Sequence, residues 1–402
     1  MKRFAVSGMP REVLVLGVIA FCVMVGFGVV LPVLPVFARS FGVGNFEVGA
    51  VVSAFALMRL ICSPFCPRLI SMLGERVVLG VGMFIVAISS GLVALAQDYP
   101  QLLILRAAGG IGSAMFTVSA MTLLLRVVAP DRRGRATGIY QGGFLLGGMA
   151  GPAVGGVLAT ISITAPFLFY AGTLIAAGTV GLLLLRAPEQ AAPERAEAPI
   201  PFRRVLADRR YQAACLTNLA QGWSSFGVRS SLVPVLVVEV LHGKPSWTGI
   251  AFACASVVQT IALGPAGRFT DTVGRRPAMI TGGVIACAAI VLVPIAPNIW
   301  LLGAILCGYG VAAAFLGTAP AAAVGDAAGG RAGRPVAIFS MCSDIGAIVG
   351  PLVAGLLADR VSYPAAFLAG GLLLAVGFLA AIRMPREAPL VVPDRPEVDS
   401  AS

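Results

Sequence analysis

Residues 13–36 read VLVLGVIAFCVMVGFGVVLPVLPV, 24 consecutive positions without a charged or amide side chain. A hydrocarbon core about 30 Å thick is crossed by roughly 20 apolar residues of helix rising 1.5 Å each. The run therefore predicts a membrane-spanning helix, and similar runs recur along the 402 residues. Only helices and closed barrels satisfy their backbone inside lipid. Barrel strands would show segments of about 10 residues with alternating polarity, whereas these runs are continuous.

Composition agrees. The chain is 58% hydrophobic and 12% charged, where soluble domains carry about 25% charge. Glycine, at 49 residues, suits helices whose backbones approach closely. All eight cysteines lie in apolar runs and the one histidine, His242, lies in a loop, so neither a disulfide scaffold nor a metal site is expected. No cofactor is expected either, and no nucleotide-binding G-x-x-x-x-G-K-[ST] loop is present, so ATP is not the expected energy source. Paired carboxylates and His/Cys clusters are missing too, which argues against an enzyme.

Polar interruptions divide the chain into twelve spans, near 12–38, 47–70, 77–97, 101–127, 136–160, 164–186, 212–241, 247–269, 277–296, 299–323, 335–358 and 363–383. The expected fold is an all-α membrane protein: a six-helix bundle (1–186), a polar cytoplasmic linker (187–211), a second six-helix bundle (212–385) and a disordered cytoplasmic tail (386–402). Of 29 basic residues, 23 fall on the side of the N-terminus, and Arg39, Lys244 and Arg360 on the other. By the positive-inside rule both termini are cytoplasmic and the chain is a multi-pass plasma-membrane protein. The charge of +11 thus reports topology, not nucleic-acid binding. The halves repeat: Gly134-Arg135 returns as Gly333-Arg334 and Gly151-Pro152 as Gly350-Pro351, each shifted by 199, and Gly74 as Gly274, shifted by 200. Six spans per half make the copies parallel, an architecture that places a transport site between them.

Several motifs have marked spacing. Gly267, Asp271, Gly274, Arg275 and Arg276 form G-x-x-x-D-x-x-G-R-R after span 8; after span 2 the same positions are Pro67, Ser71, Gly74, Glu75 and Arg76. Span 4 carries Arg106-x-x-x-Gly110-x-Gly112, and span 5 carries Gly147, Gly148, Gly151, Pro152, Gly155 and Gly156 in G-G-x-x-G-P-x-x-G-G. Span 11 echoes it with Gly346, Gly350, Pro351 and Gly355. Together with Pro32 and Pro35 in span 1 and Asp131–Ala136 after span 4, these residues resemble the drug:proton antiporter branch of the major facilitator superfamily over roughly residues 10–385. That resemblance implies the major facilitator fold, a small-molecule substrate and protons as partners. It also gives Arg106 a part in proton transfer and makes the span-5 pattern typical of exporters. The loop after span 2, usually the stronger copy, lacks its aspartate here. Gly147, Gly151 and Gly155 share one face, and Pro152 bends the helix. The expectation is a bare stripe rocking against the opposite half, with the Asp271–Arg276 loop as a releasable latch.

Only one acid lies at depth. Asp344 is ten residues beyond Arg334 and Arg59 is twelve from Glu47, about 15 and 18 Å into the membrane. Asp344 is the expected protonatable coupling group, with Arg59 or Arg106 as partner. Three arginines at depth, Arg59, Arg106 and Arg229, leave the interior positive, which favours an anionic or neutral substrate. Gln141, Asn218, Gln221, Trp223, Ser224, Arg229 and Gln259 are the cavity candidates, each equally able to join helices. The expected function is proton-coupled export of a small amphipathic drug or metabolite by a monomer in the bilayer. Uptake by the same fold and a non-transporting membrane sensor are the alternatives.

Overall fold

The computed structural model describes residues 9–128, 132–185, 202–327 and 334–385; the tail 386–402 and linker residues 187–201 lie outside them. The described chain is nearly all helix. Among the described residues, eleven helices are long and apolar enough to cross a membrane. Span 7 is the remaining crossing, made of Arg209–Gly222, a π-helical segment Trp223–Ser230 and Ser231–Glu239. The expectation of one regular helix over 212–241 is corrected. Pro234 has no N–H to give the Ser230 carbonyl, so the ladder is already open there.

Span 1 also departs from one continuous helix. It runs Arg11–Val30, breaks at the residues around Pro32, and resumes as Leu34–Arg39. Span 2 is Asn45–Cys62 with a 3-10 turn, Ser63–Phe65, and a last segment Cys66–Leu73. Spans 3 to 6 are Glu75–Val93, Tyr99–Val127, Arg133–Ile161 and Ala165–Leu184. Spans 8 to 12 are Pro245–Thr272, Arg275–Leu292, Ile299–Ala327, Arg334–Arg360 and Tyr363–Ile382. The linker contains a short helix, Phe202–Ala207, and ends where Arg209 opens span 7.

The ends of these helices follow from local chemistry. Gly74 and Gly274 turn the chain with φ of +81° and +113°, conformations open to glycine and costly for other residues. The Asp98 carboxylate accepts from Gln101 N at 2.8 Å, and the Asp208 carboxylate from Arg210 N at 2.7 Å, satisfying amides that have no partner within the helix. Tyr99–Val127 and Ile299–Ala327 begin and end 200 residues apart, so the repeat reaches the backbone.

The buried cores respect the same division. Two apolar clusters are drawn wholly from residues before 186 and two from residues after 204. Contact between the halves runs along two seams, span 2 against span 11 and span 5 against span 8, with a smaller one where the tips of spans 1 and 7 meet. The space between those seams is where the site lies.

Candidate functional site

The halves meet at one end of the bundle, the end bearing the loops near residues 40–44 and 240–244. There Asp359, near the last turn of span 11, accepts hydrogen bonds from Asn45 N at 2.9 Å, Asn45 Nδ2 at 2.8 Å and Phe46 N at 2.8 Å. Its carboxylate thus caps the span-2 helix from the opposite half, where the positive end of the helix dipole favours an anion. Arg39 Nε donates to Glu239 Oε1 at 2.7 Å, and Tyr363 Oη donates to Glu239 Oε2 at 3.2 Å. Along the span 2–11 seam, Gly49 and Gly355 bring backbones together: a Cβ at Gly355 would lie 2.8 Å from Phe46 Cα. Ser53 Oγ donates to Ile348 O at 2.6 Å, and next towards the other end comes an ion pair between Arg59 and Asp344.

The seam between spans 5 and 8 is tight at the same end. A Cβ at Gly249 would fall 2.5 Å from Gly156 Cα and 2.8 Å from Pro152 O. Further along, the two helices part around a cavity of about 660 Å³ that Gly138, Gln141 and Gly142 line from span 5 and Gln259, Thr260 and Leu263 from span 8. A Cβ at Gly138, Gly142 or Gly267 would meet nothing within 4 Å. A second cavity of about 200 Å³ is lined by Arg59, Arg106, Phe55 and Tyr170 among others. The two share Met24, Leu31, Phe144 and Phe226 as walls, so they adjoin.

The glycine stripe of span 5 does not face the opposite half, contrary to expectation. A Cβ at Gly147 would lie 2.9 Å from Met24 Cβ, at Gly151 2.8 Å from Gly28 Cα and at Gly155 2.9 Å from Val29 Cα. All three partners are in span 1 of the same half. The stripe is a fixed seam of its bundle, and Gly156 and Pro152, on the neighbouring face, make the contact across halves. Span 11 repeats this: Gly346 and Gly350 pack on span 7, while Gly355 crosses to span 2.

Of the coupling candidates, the structure brings together Arg59 and Asp344. Arg106 does not join them. It is 5% exposed, its Cζ sits 4.6 Å from the Phe55 ring centroid, and its Nε has no hydrogen-bond partner among the described residues. Among the cavity candidates, Gln141, Arg229 and Gln259 line the larger cavity. Asn218 instead donates to Phe339 O at 2.7 Å, tying span 7 to span 11. Gln221 Oε1 accepts from Tyr309 Oη at 3.4 Å. Trp223 and Ser224 line neither cavity. Residue types missed the aromatic walls, Phe55, Phe144, Phe226 and Phe252, and Tyr309 against Arg229. Spacing held the signal for one of them: Phe252 precedes Gln259 by seven residues, two helical turns on the same face.

The ion pairs beside the two loops after spans 2 and 8 are charge-inverted copies of each other. Arg275 Nε pairs with Asp326 Oδ2 at 2.9 Å, joining the start of span 9 to the end of span 10. Two hundred residues earlier, Glu75 pairs with Arg126 at the corresponding ends of spans 3 and 4. Glu75 is 3% exposed. At position 75, what reads in sequence as erosion of the first copy is therefore a sign reversal matched by its partner, while Ser71 in place of the aspartate remains a loss. Asp271 and Arg276 are not members of the pair.

A family model described as Major Facilitator Superfamily matches residues 16–242 and 214–401. The synaptic vesicular amine transporter of Bos taurus is 28% identical over 330 residues, 80% of this chain. This chain spans 62% of that relative's length. The quinolone resistance protein NorA of Staphylococcus aureus (strain MRSA252) is 26% identical over 362 residues, covering 87% of this chain and 91% of that one. In fold, the chain is similar to a bacterial homologue of the human lysosomal transporter Spinster, solved inward-facing and unoccupied. The TM-score is 0.77 at 17% identity, covering 92% of this chain and 96% of the other.

Proposed function

Because the chain belongs to the Major Facilitator Superfamily, we propose that it is a secondary active transporter exporting a small amphipathic drug or metabolite in exchange for protons. The observation that carries this is the asymmetry of the span 5–8 seam. Gly249 lies against Gly156 at one end, while at the other the same helices stand apart around a cavity that Gly138 and Gly142 line and leave open. Helices built to touch at both ends, and touching at one, support alternating access. The closed end holds Arg39, Lys244 and Arg360 and the open end the surplus of basic residues, so the positive-inside rule makes the open end cytoplasmic. On that reading the structure is inward-facing, both termini are cytoplasmic, and the protein works in the plasma membrane as a monomer with residues 1–186 and 212–385 as its moving bodies.

Asp344 and Arg59 are the proposed coupling pair. They bridge the halves at the rung nearest the cavity, next to the wall that Arg59 shares with Arg106. Protonating Asp344 removes the charge that holds Arg59, which loosens the span 2–11 seam and releases the closed end. Arg106 is the proposed second member through its positive field on the same cavity. Export is favoured by the names of relatives such as the quinolone resistance protein.

The test is flux in proteoliposomes under an imposed pH gradient, with and without an uncoupler, across a panel of drugs and metabolites. Uncoupler-sensitive, outward-directed flux is expected, lost in Asp344→Asn. Flux indifferent to the gradient, or flux of Asp344→Asn that still follows it, contradicts proton coupling.

A further inference from the structure

The positive charge of the cavity is not evenly shared, and one arginine stands out. Arg229 is the seventh residue of the π-helical segment Trp223–Ser230. Wide π turns inside α-helices recur at functional sites because they redirect a side chain. Here the turn holds the Arg229 guanidinium with its Cζ 5.4 Å from the Phe252 ring centroid and 5.4 Å from that of Tyr309. Its Nε is buried without a hydrogen-bond partner, and no carboxylate pairs with it among the described residues. The acid at comparable depth, Asp344, is engaged by Arg59. Arg229 therefore presents an unneutralised planar cation to the larger cavity, whose wall also holds Gln141, Ser225, Gln259 and Phe226.

Burying a guanidinium without a counter-charge is costly, and the cost is recovered when an anion arrives. The two rings lie within cation–π reach of the guanidinium, and as they accept no conventional hydrogen bonds its N–H groups are left for a ligand. A carboxylate matches that edge with two parallel charge-assisted hydrogen bonds. The amides of Gln141 and Gln259 supply further donors, while Phe226 and Phe252 offer apolar surface to the rest of the molecule. The cavity, at about 660 Å³, lies within the range that encloses drug-sized ligands. Arg106 in the adjoining cavity has the same sign and no carboxylate partner among the described residues, so it adds to the field that repels a cation.

We infer that Arg229 is the recognition residue of a subsite for the carboxylate of an organic monoanion with an aromatic or alicyclic body. This deepens the transport reading by naming the substrate class, and binding tests it without flux. The probes are 1-naphthoate and its charge-inverted counterpart 1-naphthylmethylammonium, titrated calorimetrically into the purified full-length chain in detergent. Saturable binding of 1-naphthoate, at least tenfold tighter than the ammonium, is expected. Arg229→Gln is expected to lose tenfold or more of the naphthoate affinity and Arg229→Lys to lose less, since lysine keeps the charge without the fork. Gln259→Ala, checked for an unchanged melting temperature, is expected to weaken naphthoate severalfold, which keeps the test decisive where Arg229→Gln does not fold. Equal or tighter binding of the ammonium overturns the inference. So does naphthoate affinity within twofold of wild type in Arg229→Gln, or no saturable binding of either probe. A chain that binds naphthoate as expected but shows no gradient-driven flux contradicts the transport reading and leaves the subsite standing.

Discussion

Single charges decide more in this molecule than their number suggests. Glu75 is buried and its carboxylate is held by Arg126, whose side chain is 36% exposed. Removing the arginine strands a carboxylate in apolar surroundings. Arg126→Ala is therefore expected to cost about 2–3 kcal/mol, less than a fully buried pair because solvent reaches the guanidinium. The double exchange Glu75→Arg with Arg126→Asp, which writes the Arg275–Asp326 arrangement into the first half, is expected to restore much of the loss. Thermal unfolding in detergent checks both. Asp344 poses a different question, because its pair with Arg59 crosses the halves. Asp344→Asn is expected to leave the fold intact and to abolish the response of flux to a pH gradient, measured in proteoliposomes. Sequence depth alone located Asp344, since one acid lay within a span. The inverted Glu75–Arg126 pair was not legible that way, because Arg126 looked like one more basic residue at a helix end and only folding sets it beside position 75.

At the scale of helices, glycine position determines which surfaces pack within a half and which meet across the halves. The stripe Gly147, Gly151 and Gly155 was readable as a smooth face, but a helix has two close neighbours and periodicity does not say which one the face meets. Contact with span 1 makes it part of a rigid bundle. Gly151→Leu is thus expected to disrupt the fold, detected as loss of monodisperse protein after solubilisation. The contacts across halves behave otherwise. A methyl at Gly249 has no room against Gly156 Cα at 2.5 Å, so Gly249→Ala is expected to open the closed end and shift the population to the opposite state. Gly267→Leu meets open space at the parted end, outside the cavity wall, and is expected to fold normally, keep ligand binding and lose transport by tenfold or more, because closure of that end is blocked. Comparing binding with flux for the two variants checks this. The π segment of span 7 escaped the sequence reading because hydrophobic period cannot register one extra residue per turn. Pro234 was its single visible trace.

The whole molecule inherits its division from the duplication, and the duplication was plain in the sequence as landmarks 199 or 200 residues apart. Spans and the excess of basic residues on one face follow from solvation in lipid, so they could be read residue by residue. What the chain order hides is contact between the copies: Asp359 over Asn45, Arg39 with Glu239, and Gly249 on Gly156. These contacts join positions 93 to 314 residues apart and hold one end shut. Exchange of the closed end is the central claim, and distances between the halves report it. Spin labels at Ser40→Cys with His242→Cys, and at Met72→Cys with Val273→Cys, mark the closed and open ends at exposed positions. The eight native cysteines are replaced by alanine first. Electron–electron resonance distances recorded across a pH step with transported ligand present are expected to lengthen for the first pair while they shorten for the second. Distances that stay fixed at both ends, or that change in the same direction, contradict alternating access by this chain.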